Sequence, residues 1–159
     1  YSTVANVSAG LHTLTFSGLN RLDGDNTVFI DHIDLPTSSA VVDFTSVEPK
    51  FESPNLGIGL GAFVYNPTGT PTTFSGTAGI AGNASAFTSG NSNAPEGTQV
   101  AFVQGTGSGT QTVVFLTSGT FILSFDAAQR ASGNSGGQAL QILVDGHAID
   151  AITPVGNPY

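Results

Sequence analysis

The sequence predicts an all-β chain folded as a two-sheet sandwich, on three observations. Apolar and polar residues alternate in short runs such as His12-Thr13-Leu14-Thr15-Phe16, the period-2 signature of a half-buried strand. Gly and Pro, 21 and 8 residues respectively, punctuate those runs where turns are needed. No segment carries a sustained apolar stripe at 3.6-residue spacing, so helix content is expected to be close to nil.

In order, residues 4–7 read as a short strand leading into the turn Ser8-Ala9-Gly10, and residues 12–16 as a strand with Leu14 and Phe16 facing inward. Residues 18–26 form a loop containing the acidic turn Leu22-Asp23-Gly24-Asp25-Asn26. Residues 27–33 return as a strand, with Val28 and Ile30 on one face and Phe29 and Asp31 on the other, and Pro36 ends it. Residues 36–50 have a proline near each end and Val41, Val42 and Phe44 between them. Extended at ~3.3 Å per residue, this connector spans roughly 50 Å, more than the width of a small domain. The region 51–159 reads as short strands at 62–65, 72–75, 99–104, 111–116, 121–126, 138–144 and 148–152. The small, polar segment 79–96 has the composition of a long surface loop. The core is expected to hold Leu14, Phe16, Val28, Ile30, Phe102, Phe115, Leu123, Phe125, Ile142 and Val144.

Residues 7–21 lie without a gap over residues 116–130, matching Gly10 with Gly119, Leu14 with Leu123, Phe16 with Phe125 and Arg21 with Arg130. Beyond a loop of different length, Val28-Phe29-Ile30-Asp31 corresponds to Ile142-Leu143-Val144-Asp145. Two readings stand: a sandwich built from related halves, or the likeness that any two Gly-turn-plus-strand units share.

At 159 residues and 39% apolar content the chain suits one domain with a real core. Only 9% of its residues are charged, so solubility rests on hydroxyls and backbone, the composition of a secreted β-protein. Lys and Arg number 3 against 11 Asp and Glu, a net charge of -8, which repels a phosphate backbone and argues against nucleic acid or an anionic membrane surface as partner. With no Cys, disulfides and thiolate metal sites are impossible, and oxygen-ligated calcium is the metal the composition permits. No run approaches the ~20 apolar residues of a membrane helix, so membrane insertion is not expected. Met is absent, from which the chain is expected to be a processed product or a piece of something longer.

The stretches FESPNL (51–56), PEGTQVAFVQG (95–105), GTFILSFDAAQR (119–130), ILVDG (142–146) and GLHTLTFSGLNRLDGDNTVFIDHIDL (10–35) carry a family likeness. The sequence resembles galactose-binding-like jelly-roll domains of bacterial surface and exosortase-sorted proteins, akin to carbohydrate-binding modules, over everything except residues 36–50. The resemblance implies an extracellular or cell-surface location, in bacteria by that family's distribution. In that family the FESP motif comes first and the FID-I-L strand last, the reverse of the order here. The fold implied is a jelly-roll β-sandwich with circularly permuted or strand-exchanged order. Residues 51–159 would form its main body, 1–35 the closing strands of its own or a neighbouring subunit, and 36–50 the connector. Three arrangements give that order: closure in cis, a window on a tandem array in which Tyr159 leads into Tyr1, or donation of residues 1–35 to the next subunit. The connector favours the last two, because neighbouring strand ends need only a few residues to join. The function expected is that of a non-enzymatic building block of a head-to-tail homopolymer. Leu14, Phe16, Val28 and Ile30 would be buried at each junction, worth ~1.5–3 kcal/mol per large side chain, with Val41, Val42 and Phe44 running across it. The alternative is a calcium-stabilised carbohydrate-binding module with a glycan as partner.

Jelly rolls of this type often hold structural calcium between a Glu of the opening motif and an Asp of the closing strand. The matching positions are Glu52 and Asp31, with Asp25 or Asn26 and loop carbonyls completing six to eight oxygens. The competing reading is that both carboxylates cap strand ends. Arg130 with Gln129, and Arg21 with Asn20, could line a polar concavity for a sugar, although Arg130 and Arg21 would equally serve as ion-pair partners of Asp126 and Asp25. No Trp is present, and Thr72 stands where the family commonly has an aromatic, which weakens the sugar reading. His12, His32 and His147 are not grouped by the sequence with a nucleophile, and no G-x-S-x-G or HExxH occurs, so no enzyme is expected. Asn6 and Asn83 begin glycosylation acceptor triplets, of which only Asn83 falls in an expected loop.

Overall fold

Alternation of Leu14 and Phe16 with Thr13, Thr15 and Ser17 makes Gly10–Gly18 a strand with one apolar face, and it lies in the middle of a sheet. The computed structural model of the chain describes residues 1–22, 24–35, 42–43, 50–132, 137–156 and 158–159, excepting the side chains of Val42 and Asp43. Its strands are β1 (Ser2–Val7), β2 (Gly10–Gly18), β3 (Thr27–Asp34), β4 (Val42–Asp43), β5 (Phe63–Tyr65) and β6 (Thr73–Ser75). They continue with β7 (Ala78–Gly82), β8 (Gln99–Gln104), β9 (Ser108–Phe115), β10 (Gly119–Gln129), β11 (Leu140–Val144) and β12 (His147–Ile152). One sheet has the order β1-β10-β3-β8-β7-β5. The other runs β12-β11-β2-β9, with β4 and β6 against opposite ends of β9. The described pairings are antiparallel and the described residues include no helix, so the described chain is an all-β sandwich.

The inner faces of the two sheets meet in a core containing Leu14, Phe16, Val28, Ile30, Phe115, Leu123, Phe125 and Ile142, all at most 4% exposed. Val144 is only partly buried at its rim. Phe102 belongs to a second apolar cluster with Phe29, Ala81, Phe87 and Val100. That cluster corrects the expectation of a bare loop at 79–96: Phe87 is 6% exposed and lies 4.6 Å from the Phe102 ring. Residues 78–82, AGIAG, are a fully buried strand that overlaps the start of that span. Small residues are required there because the β5 backbone approaches so closely that a Cβ on Gly79 would lie 1.9 Å from the Val64 carbonyl oxygen.

β3 is buried along both faces over Thr27–Asp31, since it sits between β10 and β8 with the second cluster behind it. β1 pairs with β10, β2 with β11 and β9, and β3 with β10 and β8. Residues 1–35 therefore complete both sheets of their own chain. The two similar units cross over: β2 of the first lies beside β11 of the second, and β10 of the second beside β3 of the first. Phe16 and Phe125, the matched aromatics, meet edge to face across the core at 5.1 Å. Within the connector, Val42–Asp43 forms β4; Val41, Phe44, the Val42 side chain and Asp23 lie outside what is described.

Candidate functional site

The structure brings Asp31 and Glu52 to one corner, where the middle of β3 meets the chain entering β8. Glu52 accepts hydrogen bonds from the amides of Thr98 and Gln99 on Oε1, both 2.8 Å, and from the Thr98 hydroxyl on Oε2 at 2.9 Å. Asp31 Oδ2 accepts the Glu96 amide at 2.9 Å. Its Oδ1 is buried and finds no partner among the described residues. Burial pushes the Asp31 carboxyl up to about 7, with Glu52 and Glu96 adding to the rise and the amides of Glu96 and His32 opposing it. The Tyr159 hydroxyl is also buried without a described partner, and its ionisation is pushed up by burial and then by Asp31. Lys50 pairs with Glu96 at the rim, which raises the Lys50 ammonium. Among the described contacts, acceptor capacity thus remains at Asp31 Oδ1 and at one lone pair each of Asp31 Oδ2 and Glu52 Oε2.

Asp25 and Asn26 do not reach this corner. They precede β3, six and five residues before Asp31, a separation of roughly 15–20 Å along extended chain. Asp25 instead binds Arg130 Nη1 at 2.5 Å and accepts from the Gln104 carboxamide. Among the described residues no group of three His, Cys, Asp or Glu is arranged to hold a metal ion.

Arg130 and Gln129 are structural in their contacts. The Arg130 side chain is 10% exposed, stacks 4.5 Å over the Phe87 ring and donates to the Ala86 carbonyl as well as to Asp25. Gln129 exchanges two hydrogen bonds with the Gln138 backbone, tying Gln138 to the end of β10. Asn20 donates to the Gly137 carbonyl at 2.7 Å and accepts the Leu22 amide. Arg21 has no hydrogen-bond or ion-pair partner among the described residues and lines an open concavity of about 460 Å³ with Asn20, Leu22, Thr77, Gly105 and Thr106.

A cluster that the sequence did not announce lies at the opposite end of the sandwich. His12 Nδ1 is 2.6 Å from Asp145 Oδ2, while its Nε2 is 3.0 Å from the Ser8 carbonyl and 3.4 Å from the Ser8 hydroxyl. Asp145 also accepts the Thr13 amide, which is the main reason its carboxyl is held below the usual range, with the His12 bond next. The Ser8 hydroxyl is beyond the ~2.6–3.2 Å reach of an activated nucleophile, and the Ala9 amide donates to Ser118 Oγ. The arrangement ties the β1–β2 turn to the β11–β12 turn. His32, in a left-handed conformation with φ of 49°, pairs with Asp126 at 3.1 Å, and His147 is exposed at the start of β12.

Of the two acceptor triplets, Asn83 lies in a loop as expected, but its side chain accepts the Ala94 amide and Ser85 is fully buried against Thr88. Asn6 is exposed on β1, where it accepts from the Thr120 hydroxyl.

Comparison of the chain with protein families, curated proteins and solved structures finds no significant match.

Proposed function

We propose that the chain is a non-enzymatic, extracellular structural unit of a head-to-tail homopolymer, a galactose-binding-like jelly roll in which residues 1–35 are the exchangeable element. One observation carries this reading: β1, β2 and β3 make no pairing with one another, and their ladders run to β8, β9, β10 and β11. The segment is therefore a guest in sheets built by residues 99–144, tied to them covalently only through 36–50. Its ion pairs are of the same kind, since His12–Asp145, His32–Asp126 and Asp25–Arg130 each join it to the body. The contacts that close the sandwich in cis are all available to the same segment of a second copy, the condition for domain swapping, and repeated donation in one direction gives an open filament.

The test is a cross-link between Val4 and Ile122, direct partners on β1 and β10 that are 54% and 52% exposed. Opposed antiparallel residues have Cα atoms ~4.5–5.5 Å apart, within disulfide range, and the chain has no native Cys to confuse the readout. Oxidised V4C/I122C from assembled material is expected to run as a ladder of covalent multimers on a non-reducing gel. Intrachain-linked monomer alone, with no filaments by electron microscopy, would falsify the polymer and leave a single-copy permuted module.

The second reading is that module with calcium and a glycan. It is favoured by the unpartnered Asp31 Oδ1 beside Glu52 and by the free Arg21 concavity. In this reading Asp31 and Glu52 hold the ion, and loop oxygens supply the rest. Chelator is expected to lower the melting temperature and Arg21→Ala to abolish heat of binding to polysaccharide; an unchanged melt and no heat with any glycan remove this reading.

A further inference from the structure

Every edge of the two described sheets but one is closed to further pairing by the means edge strands ordinarily use: shortness, charge or a bulge. β4, β5 and β6 are no more than 3 residues long. β12 carries His147 and Asp150, and its ladder with β11 shifts register between Ile142 and Leu143. β1 has none of these devices. Its 6 residues include no charge, Pro or Gly, and they run in unbroken register along β10, from Ser2 opposite Ser124 to Val7 opposite Gly119. Those β10 partners are uncharged as well. Among the described residues no strand lies on the far side of β1.

The Tyr1 nitrogen donates to the Phe125 carbonyl at 2.8 Å, and the Phe125 amide donates back to the Tyr1 carbonyl at 3.0 Å. Bonded and unbonded pairs alternate along an antiparallel ladder, so Thr3, Ala5 and Val7 also turn their backbone groups to β10. Ser2, Val4 and Asn6 turn theirs to the open side. Donors and acceptors spaced in this way are matched as a set by another extended strand. We infer that β1 pairs, antiparallel and about a two-fold axis at Val4, with β1 of a second copy. That centre uses every open group: Val4 opposes Val4 of the second copy, Ser2 opposes its Asn6 and Asn6 its Ser2, each pair exchanging two backbone bonds.

The side chains fit that register. Ser2, Val4 and Asn6 are exposed on the outer face, where Val4 at 54% stands opposite Ile122 at 52%. The two-fold axis extends this pair into one aliphatic row, with Val4 and Ile122 of each copy end to end and shielded from water. Ser2 meets Asn6, whose Oδ1 already accepts the Thr120 hydroxyl and whose carboxamide hydrogens face the new neighbour as donors. Charge selects the same place. Two copies at -8 each repel one another, and pairing through β1 and β10 sets no carboxylate of these two strands against another; Asp150 of β12, packed beneath β1, belongs to the other sheet. At ~3.4 Å per residue the edge is roughly 20 Å long, less than the ~800 Å² per partner of a stable interface requires. One copy therefore associates weakly, and linked copies gain by multivalency. The contact is isologous, unlike head-to-tail exchange, and would hold two polymers side by side. The inference stands whether or not residues 1–35 exchange, because β1 lies on a β10 in either case.

The test uses the full chain, made without N-linked sugar, as single-cysteine variants, since it has no Cys of its own. Val4→Cys sets two Cα atoms ~5.5 Å apart across the axis, within disulfide range, and is expected to oxidise to covalent dimer about tenfold faster than Ile58→Cys, although Ile58 is the more exposed at 86%. Ser2→Cys should link quickly only when mixed with Asn6→Cys, which reads the register. Single variants do not report exchange of residues 1–35, whose cross-link needs a second thiol on β10. In sedimentation equilibrium up to millimolar chain, wild type and Val4→Thr are expected to self-associate, with Val4→Lys weakening the association about tenfold by opposing like charges. Equal oxidation of Val4→Cys and Ile58→Cys overturns the inference, as does rapid linkage of Ser2→Cys to itself or association that a natively folded Val4→Lys leaves unchanged. Should Val4→Lys not fold, the Val4→Cys rate decides. Multimers that persist without a Val4→Cys link belong to head-to-tail exchange and overturn this contact alone.

Discussion

Alanine at Gly79 and alanine at Gly61 should shift stability in opposite directions, although the two glycines flank the same short strand, β5. At Gly79 the new Cβ would sit 1.9 Å from the Val64 carbonyl oxygen and 3.0 Å from Phe102 Cζ. Ordinary contact begins near 3.4 Å, so β5 must retreat from β7 by roughly 1.5 Å, a large fraction of the ~4.8 Å strand spacing. That retreat breaks the Phe63–Tyr65 ladder and loosens Phe63 from the Phe87 ring 4.7 Å away. The expected cost is about 2–3 kcal/mol, the upper part of the overpacking range, a fall in melting temperature of roughly 4–12 °C for a chain of this length. At Gly61 a Cβ meets nothing within 4 Å and the backbone is not left-handed. Restricting the unfolded chain there should add about 0.4–1 kcal/mol, a rise of roughly 1–4 °C. Urea and thermal unfolding of the two variants beside wild type measures both. A Gly79→Ala variant within about 0.5 kcal/mol of wild type, below the overpacking range, would show that β5 and β7 are not so close and that the second cluster is wrongly described.

Arg130→Ala is expected to destabilise by about 2–3 kcal/mol, because it removes a charge-assisted bond to Asp25, the Ala86 contact and a cation–π stack together; Arg130→Lys should recover less than half in urea titrations, and full recovery would contradict the stacking geometry. The Asp145 carboxyl is held low in the folded chain, so between its folded and unfolded values the unfolded state binds more protons and stability must rise with pH. That contribution is complete above the ordinary aspartate value and is lost as pH falls through the depressed one. Asp145→Asn should flatten this acid limb in melts recorded from pH 2 to 6, and an unchanged limb would show that the Thr13 and His12 contacts do not hold the carboxylate.

Alternation along the chain is enough to set the class of fold and most of the main core. Period-2 alternation around Leu14, Phe16, Leu123 and Phe125 leaves no face but one to bury, and these side chains are the ones found between the sheets. Pairing partners are not written in that alternation. Which strand lies beside which was decided by tertiary structure, and it set residues 1–35 between strands of the body instead of beside one another.

Local composition misled where packing overrode it. GIAG at 79–82 reads as loop because Gly and Ala carry no strand signal, yet it is buried in a sheet whose neighbouring backbone comes too close to Gly79 for anything larger. Arg130, an apparent ligand residue in a chain with few cations, is drawn inward by Phe87 and Asp25, contacts separated from it by 43 and 105 residues and therefore invisible to any local reading. Asp31 and Glu52 do come to one corner, but whether a carboxylate is open depends on which amides reach it, and those come from Glu96, Thr98 and Gln99 on another stretch of chain. Ser-Thr alternation fixes that hydroxyls face outward from a strand; only the registers of β9 with β2 and β6 align them into rows, because register is a property of paired strands and not of either strand alone.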